Sequence, residues 1–429
     1  MLRADALGVM FAGLSSLLWL CTTIYAIGYL EGAANRKRFF GFFSLCVTST
    51  LGIALSGNLF TFLIFYEMLT LSTYPLVVHA GSAKALAAGR VYLRYTLTAG
   101  VVLLLGVVLL YSLTNDHSFA SEQGLSPYLD DHRGLLTLIF ALLVGGLAVK
   151  AAMVPLHGWL PRAMVAPAPV SALLHAVAVV KAGAFGILRV IYDLYGIELS
   201  VELGVTTVLA VAASITIIYG SLRAIAQEEL KPRLAFSTIS QVSYVVLGVS
   251  LFGPFGTIGA LAHLLHQGLM KVTLFFCAGN YAEELGIHRL DEMDGAGKRM
   301  PLTSLAFTVG ALGMIGLPPT AGFITKWYLG MGAIEADMYW VVAVLVASST
   351  LNAIYFLPIV HRLWFREGPA HGKGQWPKEQ SLGRLETHGW LLWPAVLTAV
   401  ISIGAGLLAG LPFSPLDWAT RVAVGEYLP

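Results

Sequence analysis

The sequence predicts an all-α polytopic membrane protein, and three observations carry that prediction. Of its 429 residues, 57% are hydrophobic and only 12% are charged, whereas a soluble domain carries about 25% charged residues. Apolar stretches of the roughly 20 residues needed to cross a hydrocarbon core of about 30 Å recur from end to end. No stretch alternates apolar and polar residues with the period of two that a transmembrane β-barrel requires. A soluble enzyme is thereby excluded. The net charge of +2 is too small and too dispersed to indicate nucleic-acid binding.

Twelve spans are predicted, at about 6–30, 39–56, 59–79, 90–113, 134–165, 168–192, 201–224, 236–252, 255–280, 302–334, 338–363 and 390–411. The first follows MLRADALG and is longer than a signal-peptide core of about 7–15 residues, so it reads as a retained span. The second to fourth are simple apolar runs separated by short polar turns. Orientation follows from Lys and Arg. With the N-terminus outside, the odd-numbered loops carry Arg36, Lys37, Arg38, Lys84, Arg90, Arg162, Arg223, Lys231, Arg233, Arg289, Lys298, Arg299, Arg362, Arg366, Lys373, Lys378 and Arg384, which is 17 of the 26 basic residues. The even-numbered loops hold Arg133 among acids such as Asp116, Glu122, Asp130, Asp131, Glu198, Glu202, Glu335 and Asp337. This asymmetry obeys the positive-inside rule and supports a count of twelve in a plasma (inner) membrane.

The fifth and tenth spans are too long for one straight crossing and carry proline in mid-run. One reads VKAAMVPLHGWLP with Pro155 and Pro161, the other GLPPTAGFITKW with Pro318 and Pro319. Proline removes a backbone donor and clashes one turn back, so both helices should break. Broken backbone is tolerated at membrane depth only inside protein or along a wet cavity. A packing kink is the alternative for either proline alone. Two breaks five spans apart suggest inverted repeats: a peripheral first span (1–38), five-helix repeats at 39–192 and 193–363, a cytoplasmic loop at 364–389, and a peripheral last span with the C-terminus (390–429).

Five charges lie inside predicted spans: Glu67, Lys150, Lys181, Lys271 and Lys326. Each costs at least about 2.5–3.5 kcal/mol at mid-bilayer on insertion scales, so none should face lipid. The four basic members are all lysine, while arginine is confined to loops and to span ends such as Arg94 and Arg189. Arginine keeps its proton under any realistic condition, whereas a desolvated lysine can lose it. A row of lysines with one carboxylate therefore suits a proton path. The structural alternative is a Glu67–Lys150 ion pair that only orients helices.

Histidines accompany the lysines. His157 follows Lys150 by seven residues; His263, Gln267 and Lys271 fall at four-residue steps on one helix face, with His266 displaced by about 60°. Neutral imidazole donates and accepts at once, as a relay needs. His175 and His266, taken singly, also fit satisfied core histidines. Cys21, Cys46 and Cys277 lie in apolar runs without metal-ligand spacing, the histidines lack a facing bis-haem arrangement, and no nucleotide-binding glycine motif occurs. No cofactor or metal bound by this chain is expected.

The runs VKAAMVPLHGWLPRAMVAPAPVSALLHAVAVVKAGAFGILR, LKPRLAFSTISQVSYVVLG, HLLHQGLMKVTLFF and GLPPTAGFITKWYL, in that order, resemble the antiporter-like subunits shared by respiratory complex I, Mrp-type cation/proton antiporters and membrane-bound hydrogenases. The resemblance covers about residues 6–365. It implies that Glu67 tunes its neighbouring lysine, that Lys150 is the central protonation site, that Lys181 bridges the halves, and that Lys271 and Lys326 carry the path onward. His175 falls where L-type subunits keep a histidine. L-type subunits usually have a histidine where this chain has Gln267, so the relay is expected to use His263 with Gln267 and water, or His266. The family fold has fourteen helices, and this chain is expected to begin at the third and to end without a long lateral helix.

The implied function is proton translocation by one subunit of a complex I-related assembly. The chain is not expected to be catalytic alone. Its partners are other membrane subunits, with or without a hydrophilic redox module, together with lipid. Protons would pass from a Glu67–Lys150 uptake pair through His157, water and Lys181 toward Lys271 and Lys326. Alternatives are Mrp-type Na+/H+ exchange without redox chemistry, a non-translocating structural subunit, and a quinone-holding redox subunit, for which no cofactor motif is present.

Overall fold

The computed structural model describes residues 2–116, 118–119, 124–368, 376 and 386–427. Glu122, Lys373, Lys378, Arg384 and most of the predicted 364–389 loop lie outside the described residues. The helices in chain order are α1 (Ala6–Tyr29), α2 (Arg36–Ala54), α3 (Leu59–Val77), α4 (Ala83–Thr114), α5 (Leu129–Lys150), α6 (Trp159–Arg162), α7 (Ala168–Ala172), α8 (Val179–Arg189) and α9 (Ile197–Glu202). There follow α10 (Val205–Ile225), α11 (Leu230–Ser250), α12 (Pro254–Glu284), α13 (Ala296–Arg299), α14 (Pro301–Ile315), α15 (Ala321–Glu335), α16 (Tyr339–Phe365), α17 (Gly389–Leu407) and α18 (Pro415–Val422). No strand occurs among the described residues, and the all-α expectation holds.

Nine segments among the described residues are long and apolar enough to cross a membrane. The other three predicted spans are helical for identifiable reasons. Helix α2 opens on Arg36, Lys37 and Arg38. Helix α11 is rich in Ser and Thr but buried along almost its whole length, so protein rather than lipid surrounds its polar groups. The tenth span is divided into α14 and α15. Several boundaries move outward: α4 starts at Ala83 rather than 90, where Ser82 caps the helix by accepting from the Ala85 N–H at 3.1 Å.

Contacts between loops follow the alternation that the basic residues predict. On one face Arg38 donates to the His79 carbonyl, Lys231 to the Ala166 carbonyl, Arg289 to Glu228 and Arg362 to Asp294. On the other, Leu2 pairs with Ser56, Asn58 pairs with Ser118, and Arg189 joins Asp5 to Asp193. Odd-numbered loops thus meet one another, and even-numbered loops meet the N-terminus, as twelve crossings require.

The fifth and tenth spans break at their prolines as expected, whereas α3, α16 and α17 run on through Pro75, Pro358 and Pro394. Helix α5 ends on Lys150; the chain then turns through Ala152 (φ 57°) and a cis Val154–Pro155 bond before α6. Helix α14 ends at Gly316 (φ 85°), and a cis Pro318–Pro319 bond precedes α15. Gly316 occupies the left-handed position that commonly terminates a helix. A third interruption was not expected: the sixth span passes through a π-turn at Leu173–Val177 and a non-helical Ala178 (φ −122°, ψ −74°) between α7 and α8.

The sixth span and α12 from Gly256 to Tyr281 are wholly buried and form the centre of the bundle. Outer helices turn apolar side chains outward, as at Val101, Val108, Val346 and Ile354. Close backbone approach at the centre depends on glycine. A Cβ on Gly183 of α8 would meet Leu147 O and Lys150 C at 2.8 Å, so only glycine lets α8 press against the broken end of α5.

Candidate functional site

Each lysine is placed by a helix end or by the central helices. Lys150 is the last residue of α5 and is fully buried. Its ammonium donates to the Tyr66 carbonyl of α3 and lies 3.3 Å from the centroid of the Tyr66 ring, a cation–π placement. Glu67 is the next residue along, only half-buried, and its Oε1 has no hydrogen-bond partner. Glu67 is within electrostatic reach of Lys150. The two form no ion pair within 4.0 Å, so the direct uptake pair expected from sequence is replaced by a carbonyl-held lysine with the carboxylate set apart. The Glu67 carboxylate lies against Gly100 of α4, where a Cβ would meet its Cδ at 2.7 Å.

Beyond the α5 break, half-buried His157 packs against Tyr219 (5.0 Å between centroids), with Arg162 and Arg223 nearby. It stands on the arginine-rich face rather than on the helical continuation of Lys150, because the turn at Pro155 redirects the chain. His175 sits in the π-turn, fully buried, with both ring nitrogens unpartnered, its ring 4.6 Å from that of Phe275. The charges of Lys271 and Lys231 reach it.

Lys181 is fully buried and donates to the Leu264 carbonyl of α12 at 2.7 Å. That bond places it beside His263 and His266, both of which feel its charge. His263 Nε2 lies 3.0 Å from the Gln241 carbonyl and Nδ1 lies 3.1 Å from Thr325 Oγ1. A carbonyl only accepts, so Nε2 carries the proton in that bond. His266 and Gln267 are fully buried, and their side-chain polar atoms have no hydrogen-bond partners. The expected His263–Gln267–Lys271 row therefore does not form a hydrogen-bonded line. The three residues share a helix but address different neighbours.

Lys271, also fully buried, donates to Ser237 Oγ at 2.7 Å and to the Leu234 carbonyl at 3.2 Å. Tyr355 OH lies 2.9 Å from the same Ser237 oxygen and 2.7 Å from Asn352 Oδ1. Asn352 Nδ2 donates to the Met314 carbonyl at 3.0 Å. Lys326 of α15 donates to that carbonyl at 3.1 Å, to Ile315 O at 2.7 Å and to Ser349 Oγ at 2.9 Å. The break after Ile315 leaves the last α14 carbonyls without intrahelical partners, and Lys326 takes up two of them at the negative end of the helix dipole. Pro318 and Pro319 thus act through the carbonyls their break releases. Lys326 also lines a lateral cavity of about 460 Å³ with Phe323, Trp327 and Ser349.

Sequence reasoning missed Tyr66, Ser237, Gln241, Thr325, Ser349, Asn352 and Tyr355. It also placed Arg189 at a span end, but Arg189 is 2% exposed and pairs with Asp5 and Asp193, each at 2.7 Å. Arg233 is buried as well, held by the carbonyls of Ile225, Gln227 and Tyr355. The Arg189 charge is compensated by carboxylates, whereas Arg233, which keeps its proton, is held by carbonyls alone. Lys150, Lys181, Lys271 and Lys326 differ from Arg189, since no carboxylate among the described residues lies within ion-pair distance of them. Among the described residues, no group of His, Cys, Asp and Glu has the geometry of a metal site.

A multi-pass helical bundle whose broken helices hold buried lysines away from carboxylates defines a membrane protein that keeps ionisable groups inside the bilayer for ion movement. The family model described as NADH:quinone oxidoreductase/Mrp antiporter, transmembrane region, matches residues 56–352, and the chain belongs to that family. It is 38% identical over 407 residues to NADH-quinone oxidoreductase subunit N of Desulforudis audaxviator, covering 93% of this chain and 79% of that one. It is 33% identical to hydrogenase-4 component B of Escherichia coli over 76% of this chain, but spans only 50% of that relative. Against the solved Mrp complex from Dietzia sp. DQ12-45-1b the TM-score is 0.87 at 28% identity, covering 99% of this chain and 84% of that one.

Proposed function

We infer that the chain is a proton-translocating, antiporter-like subunit of a complex I-related membrane assembly. The observation that carries the reading is the set of lysines held by carbonyls and hydroxyls without a carboxylate partner. An isolated buried ammonium is expensive. A lysine so placed can cycle between ammonium and amine, which a permanently paired arginine such as Arg189 cannot.

In this reading Lys150 is loaded first. Glu67, near but unbonded, sets how firmly Lys150 holds its proton, and a change in the carboxylate's position or charge releases it toward Lys181. Lys181 stands beside His263 and His266, and the path continues to Lys271 and Lys326. His157 serves the arginine-rich face, and His175, between Lys231 and Lys271, serves the same side. Driving one charge against 100 mV requires about 2.3 kcal/mol, comparable to a protonation equilibrium moved by less than two pKa units at about 1.36 kcal/mol each. The excess of Lys and Arg in the odd-numbered loops supports an N-terminus outside an inner membrane, and the partners are other membrane subunits.

The test is dye-monitored proton transport in vesicles holding the native complex, with Lys150→Met and Lys326→Met combined, in the presence and absence of sodium. Loss of transport with no sodium dependence is expected. Sodium-dependent transport in the unsubstituted complex would assign the chain to cation exchange. Unchanged transport in the double variant would leave it a structural subunit.

A further inference from the structure

The polar connection between Lys271 and Lys326 is continuous in hydrogen bonds but not in transferable protons. Tyr355 has one hydroxyl proton and two neighbours toward which it is the donor, Ser237 Oγ at 2.9 Å and Asn352 Oδ1 at 2.7 Å. It serves one at a time. Asn352 is held in a single orientation, because its Nδ2 donates to the Met314 carbonyl at 3.0 Å and its Oδ1 faces the Tyr355 hydroxyl. A carboxamide has no exchangeable acid proton to hand on at these atoms, and the Met314 carbonyl has no proton at all. From α11 the Gln241 amide Nε2 points at the same Met314 O, at 3.5 Å. Two amides thus converge on the Met314 carbonyl that Lys326 also binds, and Asn352 is the one in the hydrogen-bonded line from Lys271.

We propose that Asn352 is a positioning residue that acts as a proton stop, keeping Lys271 and Lys326 linked in orientation while preventing direct hopping between them. The proposal rests on the proton-transport reading. A translocating subunit must not let protons run passively back along its own path, and a hydrogen-bonded amide closes that route without leaving a void. Transfer then requires a rearrangement that brings water or a turned side chain past Asn352. Asn352 and Tyr355 are both fully buried, so neither exchanges protons directly with bulk water.

Asn352→Asp puts an exchangeable carboxyl of nearly the same shape where the amide stood. A proton leaving the Tyr355 hydroxyl, replaced there from Ser237 and Lys271, would bind one carboxyl oxygen, and the other, turned off the Met314 carbonyl that it shares with Lys326, would release one directly to the Lys326 amine. In vesicles holding the whole complex, with its energy source absent, this variant should raise the passive decay of an imposed pH gradient by about a hundredfold or more, the lower end of the effects from a correctly placed acid–base group. Asn352→Leu should not raise it. Tyr355→Phe added to Asn352→Asp should return the decay to the wild-type rate, which general loosening of the fold would not do. An unchanged leak in Asn352→Asp, in a complex whose driven transport still depends on Lys271, overturns the stop and leaves the transport reading standing. Driven transport that ignores Lys271→Met overturns the transport reading itself. A leak that persists after Tyr355→Phe also overturns the proposal.

Discussion

The two broken helices hold their lysines in opposite ways. Lys150 precedes its break and rests on one carbonyl and one aromatic face, with the nearby Glu67 carboxylate outside ion-pair distance. Lys326 follows its break, and all three of its ammonium protons are taken by Met314 O, Ile315 O and Ser349 Oγ. Lys271 extends this well-bonded region through Ser237 and Tyr355. Similar local chain breaks therefore produce one sparsely held site and one tied into a network. A sparsely held charge responds to its surroundings, while a fully bonded one is fixed in place. In this account the first site senses the driving event and the second retains the proton until release.

Substitutions at the two sites should differ in character. Lys271→Met removes the protonatable ammonium from a fully buried position on the path, so driven transport should fall by about tenfold or more, equivalent to about 1.4 kcal/mol or more on the barrier. Gly100→Ala pushes on the Glu67 carboxylate and should slow transport several-fold, and the shorter Glu67→Asp should partly restore it in the double variant. Equal slowing in single and double variants would show that Gly100 merely spaces helices. Tyr355→Phe leaves Asn352 Oδ1 without its donor and should lower unfolding stability by about 1–3 kcal/mol, measured by thermal melting of the detergent-solubilised chain. Ser349→Ala removes one of three Lys326 bonds and should cost about 0.5–1.5 kcal/mol, with little change in transport because two carbonyls still hold the amine. A large effect of Ser349→Ala would erase the contrast between the sites.

Much of this was legible in sequence. Apolar run length showed the spans, prolines marked both main breaks, and the insertion cost singled out the lysines. The network was not read, although its polar side chains are visible at helical spacing: Ser348, Ser349, Asn352 and Tyr355 in α16, and Ser237, Gln241 and Tyr244 in α11. Serine and threonine in helices often bond back to their own turn, as Thr238 does to Leu234 O and Ser243 to Ile239 O. Which hydroxyl reaches across depends on helix rotation, which spacing alone does not determine. The break at Ala178 carries no proline or glycine signal in LLHAVAVVK. The burial of Arg189 depends on Asp5, 184 positions away, a pairing that no local pattern encodes.

The most direct test of the account is proton translocation by the native complex carrying Lys150→Met alone, measured in sealed vesicles under the complex's own driving reaction. The account predicts a loss of about tenfold or more with the assembled complex intact, because the sparsely held lysine is the group that responds to the driving event. Translocation at the wild-type rate in that variant would contradict it.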